Sequence, residues 1–357
     1  MSYRRLVLLF SLVLSFFVGG NYLVWKCWTE DLLTDRHYNG GDLARLGYLK
    51  NSKMPRKNLV DLPYQHVESK DYKEGGIDLV TIGDSFSMGG GGGSNAYYQD
   101  FIASYSNLRV MNMPTYSVAG EEEGPDHFTT ILRIANSGYL ESLGVKYVLL
   151  QSVERGCIPN FARQFDFSVT EDISRLRSYF ARKENRHKLP DVAFLNDGNF
   201  KFIANTLLYH LSDNAFGKKV YRRELSRSFF SVPDDRILLF LGDEMRNIPK
   251  VRPADIELMN QNLNKLADLL DKRGIKLIFM PCVDKYDLYS DYLVNNPYPR
   301  SIFFEQLRML PKRYLFIDTK SILAEELRKG EKDIFYADDT HWGWKAAKKI
   351  FENVRFE

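Results

Sequence analysis

Cysteine is scarce in this 357-residue sequence: there are three, Cys27, Cys157 and Cys282. That number and spacing give neither a disulfide framework nor a metal site. Cys157 and Cys282 each close an apolar run and read as buried thiols, while Cys27 follows Trp25 and Lys26, where a lipid-attachment cysteine wants small residues. An excess of one charge is also missing. The 49 Lys and Arg nearly balance the 46 Asp and Glu, leaving +3 with no long basic block. Nucleic-acid surfaces need many clustered cations, so nucleic acid is excluded as a partner. Two nucleotide signatures are absent as well. The stretch TIGDSFSMGGGGGSNAYYQD, Thr81 to Asp100, holds five glycines in a row, but no Lys-Ser or Lys-Thr follows them as a P-loop requires. A dinucleotide fingerprint would open a helix straight after a strand, and here Asp84-Ser85-Phe86-Ser87 intervenes. No internal repeat is visible, and neither a cofactor nor a metal is expected.

What is present begins with one long hydrophobic run. Arg4 and Arg5 precede LVLLFSLVLSFFVGGNYLVW, Leu6 to Trp25, which is uninterrupted by charge. A helix needs ~20 such residues to cross a bilayer. The basic flank predicts a cytoplasmic N-terminus, with everything after Lys26 outside: a single-pass inner-membrane protein with a periplasmic or otherwise extracytoplasmic domain. A cleaved signal peptide is the rival, since Val18-Gly19-Gly20 offers a small-residue site. Continuation of the run to Trp25 favours an uncleaved anchor over residues 1–27. Residues 28–75 are polar, with scattered Pro and Lys, and read as a stalk and lead-in.

From residue 76 to residue 357, short apolar runs alternate with amphipathic stretches. IDLVTIG (77–83), LRVMNM (108–113), VKYVLLQS (145–152), IKLIFMP (275–281) and YLFID (314–318) look like strands buried on both faces. Between the third and fourth of these, PADIELMNQNLNKLADLLDKRG places Ile256, Met259, Leu263, Leu266 and Leu270 on one helical face, with Pro253 at its start and Gly274 past its end. Such alternation predicts an α/β fold with a parallel sheet between two helical layers. Residues of about 158–250 break the rhythm and read as an insertion, with RILLFLGDEM as one strand. The abundant Tyr and Phe, 21 and 24, fit core and strand filling or a carbohydrate-contacting surface.

In this arrangement Ser85 falls at the C-terminal edge of the first parallel strand, where open α/β sheets bind ligands. Gly83 lets the chain turn, and the glycine run lets a bulky substrate approach. The helix expected from NAYYQDFIAS would add positive potential near the serine. A serine hydroxyl needs a base to act as a nucleophile. Of six histidines, His341 stands apart in YADDTHWGWKAAKKIF, with Asp338 three residues before it and Asp339 two before it. Either carboxylate can hold the imidazole tautomer. Asp339 or Thr340 equally suits a helix cap, and the two roles are compatible.

The pair GDSFS (83–87) and DDTHW (338–342) resembles the SGNH (GDSL-like) hydrolase superfamily. Together with VERG (153–156), it looks most like the membrane-associated polysaccharide O-acetyltransferases related to the alginate acetylation proteins. The resemblance covers residues 76–357 outside the insertion and implies a three-layer, flavodoxin-like parallel sheet. It also implies Ser85, His341 and Asp339 as catalytic residues, with Asp338 the alternative orienting carboxylate. One departure is plain: the alginate proteins carry Asp-x-His before the serine block, whereas here it follows. The superfamily's oxyanion donors are the nucleophile's N–H, a glycine N–H and an asparagine side chain. Here these map to Ser85, Gly120 and, since LLQSVERGC has no asparagine, to Gln151, Ser152 or Arg155, with Arg155 preferred over its alternative as a sheet-edge ion pair. PCVDKYDLY (281–289) resembles the loop beside the cleft, so Lys285 and Tyr289, with Trp342, are expected to meet substrate unless they are loop surface.

Three functions compete. A serine acyltransferase would pass an acetyl group to a polysaccharide, fed by a membrane-bound O-acyltransferase because acetyl-CoA is cytoplasmic. A carbohydrate esterase would use the same residues with water as acceptor. A non-enzymatic carbohydrate-binding scaffold would not need the triad residues, which are all present. The anchor and the resemblance favour transfer.

Overall fold

The computed structural model describes residues 2–33, 41–56, 60–93, 95–117, 126–182 and 192–356. Among the described residues, eight strands run in chain order: β1 Val67–Glu68, β2 Leu79–Ile82, β3 Val110–Met113, β4 Tyr147–Val153, β5 Val220–Glu224, β6 Ile237–Leu241, β7 Lys276–Cys282 and β8 Leu315–Phe316. Six of them form one sheet in the order β1-β3-β2-β4-β7-β8, and every neighbouring pair is parallel. From β2 onward this is the 2-1-3-4-5 order of flavodoxin-like folds, which puts the topological switch point beside β2. The strands β2, β3 and β4 are buried almost throughout, as apolar runs covered on both faces must be. At the edge, β8 is only two residues long and leaves Leu315 exposed, so YLFID is not buried on both faces as expected.

Helices cover both faces of the sheet. On one, α1 Tyr98–Ser106 packs against α2 Trp344–Asn353, with the Tyr98 and Phe351 rings stacked at 5.7 Å. On the other, Glu154–Phe161 lies against Pro253–Asp271, where Asn262 Nδ2 donates to the Phe161 carbonyl at 2.9 Å. All five apolar positions expected to face inward on the latter helix are fully buried. α1 starts thirteen residues after Ser85, because the glycine turns intervene. The strand expected in the 158–250 region is β6, and it pairs antiparallel with β5 in a separate two-stranded sheet.

The segment read as a stalk and lead-in is structured where it is described. Its β1 extends the main sheet beyond β3, and residues 41–56 cross the mouth of the sheet near Asp338. It is held by hydrogen bonds to the domain and by apolar packing, with Leu43 buried against Val220 and Leu239. At the N-terminus, Tyr3–Val24 is helical and continues through Trp25–Thr29. These 27 residues form one helix long and apolar enough to cross a membrane. At 1.5 Å per residue it reaches about 40 Å, against ~30 Å of hydrocarbon.

Candidate active site

β2 ends at Ile82, and the chain turns at once. Gly83 lies so close to β4 that a Cβ there would sit 2.2 Å from Gln151 Oε1. Gln151 is buried and holds the turn from below: its amide oxygen accepts from Asp84 N at 3.0 Å and from Ser87 Oγ at 2.8 Å, and its amide nitrogen donates to Asp84 Oδ1 at 2.9 Å. Asp84 also accepts from Phe86 N at 3.1 Å and Val153 N at 2.6 Å. With both neighbours fixed inward, Ser85 is left exposed at the mouth of the sheet.

His341 arrives from the C-terminal end of the chain. Ser85 Oγ lies 2.7 Å from His341 Nε2, and His341 Nδ1 lies 2.6 Å from Asp339 Oδ1. Asp339 Oδ1 also accepts from His341 N at 3.0 Å, closing a short loop that fixes the ring. Phe86 flanks the imidazole at 4.7 Å between centroids. Of the two candidate carboxylates, the structure thus puts Asp339 on His341. Asp338 has a different job: it is fully buried and accepts from Gly41 N at 3.0 Å, Met54 N at 2.9 Å and Arg56 Nη1 at 2.8 Å.

The same Arg56 reaches Asp339 Oδ2 with Nη2 at 3.1 Å, donates Nε to the Gly91 carbonyl, and lies 4.0 Å from the Tyr336 ring. It is therefore a bridge between the two carboxylates and the glycine turn. Asp42 completes the cap, accepting from Thr340 N at 2.8 Å and Thr340 Oγ1 at 2.6 Å. Neither Arg56 nor Asp42 was foreseen from sequence. Each acts from almost 300 residues away, and no local spacing links them to the Asp-His block.

Charge follows from these contacts. Burial alone would favour the neutral acid at Asp339, but the His341 hydrogen bond and charge, with Arg56, outweigh it and hold the carboxyl well below the usual range. Burial likewise disfavours imidazolium at His341, yet the Asp339 hydrogen bond and charge prevail and raise it above its ordinary value. Among the described residues, Asp42, Asp339 and His341 bring potential metal-ligand atoms within 4.8 Å of one another. All three are already engaged, His341 on both ring nitrogens, and Arg56 places a cation against Asp339.

Five other expected site residues stand elsewhere or outside view. Gly120 lies outside the described residues. Arg155 is in the ion-pair setting: its guanidinium pairs with Asp284, and its N–H donates to Asp284 Oδ2 at 2.9 Å. Asp284 is buried at the end of β7, next to β4, and a buried carboxylate demands such a partner. Lys285 does not face substrate. It is 1% exposed and donates to the carbonyls of Tyr336 at 2.7 Å, Ala337 at 3.0 Å and Asp339 at 3.0 Å, tying down the backbone of the Asp-His loop. Burial pulls its ammonium down to about 8, against the nearby carboxylates. Tyr289 is core, edge-on to Phe229 at 5.2 Å, and Trp342 is buried edge-on to Phe86 at 4.9 Å, beneath the site. The loop after β7 folds under the Asp-His block, so its large side chains become support.

The glycine run explains itself here. Gly89, Gly91, Gly92 and Gly93 all adopt positive φ, and a Cβ at Gly90 would sit 2.3 Å from His341 Nε2. A cleft of about 780 Å³ opens beside this turn, lined by Gly83, Met88, Tyr97, Asn112 and Tyr179 among others.

Residues 238–354 match the family model described as an SGNH hydrolase-like domain, acetyltransferase AlgX. Over this stretch the chain is similar to an AlgX-type SGNH domain. The match takes in Asp339, His341 and the Lys285 loop but not Ser85, which lies on its N-terminal side. That is where the order of the two blocks departs from the alginate proteins. No curated protein matched the chain. The stretch similar to that domain thus holds the Asp-His half of the site, and the turn after β2 holds the serine.

Two outcomes follow. Gly90→Ala has no positive φ to strain, yet its methyl would meet both His341 Nε2 and, at 2.7 Å, the Ser85 carbonyl, so the ring and the serine turn must separate and turnover should drop ~100-fold, as ångström-scale misplacement does; a variant of wild-type activity would contradict the packing. In a pH profile of kcat/KM, activity should fall as pH drops through a His341 pKa above the usual ~6.5, because imidazolium cannot accept the serine proton. Asp339→Asn should cut turnover ~10⁴-fold and move that limb to lower pH, whereas Asp338→Asn should act chiefly on stability. The reverse pattern would reassign the orienting carboxylate.

Proposed function

We propose that the protein is an extracytoplasmic serine acyltransferase that O-acetylates a polysaccharide through an acyl-enzyme on Ser85. The observation that carries this reading is the hydrogen-bonded series Ser85–His341–Asp339 in a chain whose Asp-His half matches an acetyltransferase domain. His341 Nε2 takes the proton as Ser85 Oγ attacks the acyl carbonyl, while Asp339 stabilises the imidazolium that forms. The Ser85 N–H and a second donor at the mouth of the sheet receive the oxyanion. His341 then returns the proton to the leaving group, and the acyl ester remains on Ser85. A sugar hydroxyl, deprotonated by the same imidazole, attacks that ester and regenerates the serine.

Transfer over hydrolysis rests on the acceptor's setting. Water stands at ~55 M, so an acceptor must be held and aimed; effective molarities of 10⁵–10⁸ M for oriented groups make that sufficient. The cleft beside the glycine turn, with Tyr97, Tyr179, Asn112 and Glu68 on its walls, offers ring faces and hydrogen-bonding groups suited to a sugar chain. The N-terminal helix, read as an uncleaved anchor whose apolar run follows Arg4 and Arg5, supports a cleft outside the cytoplasm. Acetyl-CoA is not available there, so the donor is an acyl group handed over by a membrane-bound O-acyltransferase.

The test offers an activated ester, nitrophenyl acetate, with a panel of acidic and neutral oligosaccharides. The expected result is nitrophenol release that Ser85→Ala abolishes, and an oligosaccharide heavier by one acetyl unit. If no oligosaccharide is acetylated while acetylated polymers are stripped, the protein is an esterase.

A further inference from the structure

The helix Asp197–Leu208 is built inside out. The side chains it turns into the protein include Asn199 and Asn205, each 2% exposed, while Phe200 is 76% exposed and Leu207 64%. Ile203 lies between these two and is exposed as well, and Leu211 and Phe216 continue the apolar surface past the helix end. Positions 200, 203 and 207 fall on one helical stripe. Soluble surfaces scatter single apolar side chains, but a contiguous stripe of large ones marks a contact.

What adjoins the stripe says which contact. Asn199 Nδ2 donates to Asn21 O at 3.3 Å and Asn21 Oδ1 at 3.1 Å, and Asn199 Oδ1 accepts from Thr29 Oγ1 at 2.5 Å. The Trp28 ring stacks on Phe202 at 5.8 Å, and Tyr22 meets Phe194 edge-on at 6.1 Å. The polar face of this helix is thus bolted to the C-terminal end of the apolar N-terminal helix, where tryptophan and tyrosine are at home in a bilayer interface. Cations stand alongside. Arg45, Lys201, Lys218 and Lys219 line a recess of about 330 Å³ next to the helix, and basic side chains are attracted to anionic headgroups.

We propose that residues 194–216 form a second membrane contact: the stripe Phe200, Ile203 and Leu207, continued by Leu211 and Phe216, dips into the bilayer surface that the anchor has crossed, and the recess beside it takes anionic lipid headgroups. This rests on the reading of the N-terminal helix as an uncleaved anchor. An interfacial helix of this kind buries its apolar face ~5–10 Å into the headgroup boundary. Anchor and foot together are two attachments instead of one. They fix the height and tilt of the domain above the membrane, which a single helix cannot do.

The test uses the full chain carrying Cys27→Ser, so that the buried Cys157 and Cys282 are its only native thiols, with Ile203→Cys or, as a control on another surface, Met309→Cys. Each is labelled with an environment-sensitive fluorophore and reconstituted in vesicles of phosphatidylcholine and phosphatidylglycerol. At position 203, lipids bearing a quencher in the upper acyl chain should cut emission severalfold while aqueous iodide has little effect; position 309 should show the opposite. Iodide quenching at 203 equal to that at 309 would overturn the proposal. Protection of 203 from both quenchers would also overturn it, since protein, such as a second copy of the chain, would then cover the stripe. Failure of the anchor reading shows separately, as protein lost from the vesicles in an alkaline carbonate wash.

Discussion

Two adjacent buried carboxylates, Asp338 and Asp339, are the constraint on which the site depends. Side by side in a place shielded from water, two carboxylates call for a cation between them. Arg56 is that cation, with one nitrogen on each carboxylate and a third on the glycine turn that carries the serine. Its planar fork can hold all three at once, which a lysine's single ammonium cannot. Asp338 then anchors the crossing segment through Gly41 and Met54, leaving Asp339 turned toward His341. Lys285 secures the same loop from beneath by its carbonyls. Catalytic alignment and attachment of residues 41–56 are therefore one structure, and strain in either is felt by the other.

The two halves of the site come from opposite ends of the chain, and the sheet order makes them meet. β2 lies between β3 and β4, so its C-terminal end opens at the switch point, free of crossing connections. The serine turn occupies that opening, and the loop before α2 descends onto it from the last helix. A family match confined to the Asp-His half is consistent with this division: the fold requires only that the two loops share one end of the sheet.

Ser85, His341 and Asp339 were legible in the sequence because each sits in a short motif whose chemistry is local. Four of the five main strands were legible for a similar reason, since strands buried on both faces leave apolar runs; β8 shows such a run but lies at the sheet edge with Leu315 exposed. What escaped notice acts at long range or through the backbone. Arg56 lies in a Lys- and Pro-containing stretch that reads as a stalk, and its carboxylate partners are more than 280 residues distant. β1 is two residues long and carries no run. Lys285, Tyr289 and Trp342 were placed in the correct loops but on the wrong side: sequence shows that a loop follows a strand, not whether its side chains point into the cleft or under it. Arg155 pairs with Asp284, a buried charge just past the neighbouring strand β7, which only the sheet order brings beside it.

The central claim is that Ser85 carries the acyl group, and the most direct measurement is to catch it there. Protein mixed with an activated acetyl ester is quenched in acid within a turnover, digested, and read by mass spectrometry. The account predicts one added acetyl unit on the peptide containing Ser85, present in the active protein and missing when His341 is replaced by alanine. An acetyl group that instead accumulates on another residue at the rate of turnover, with Ser85 unmodified, would contradict it.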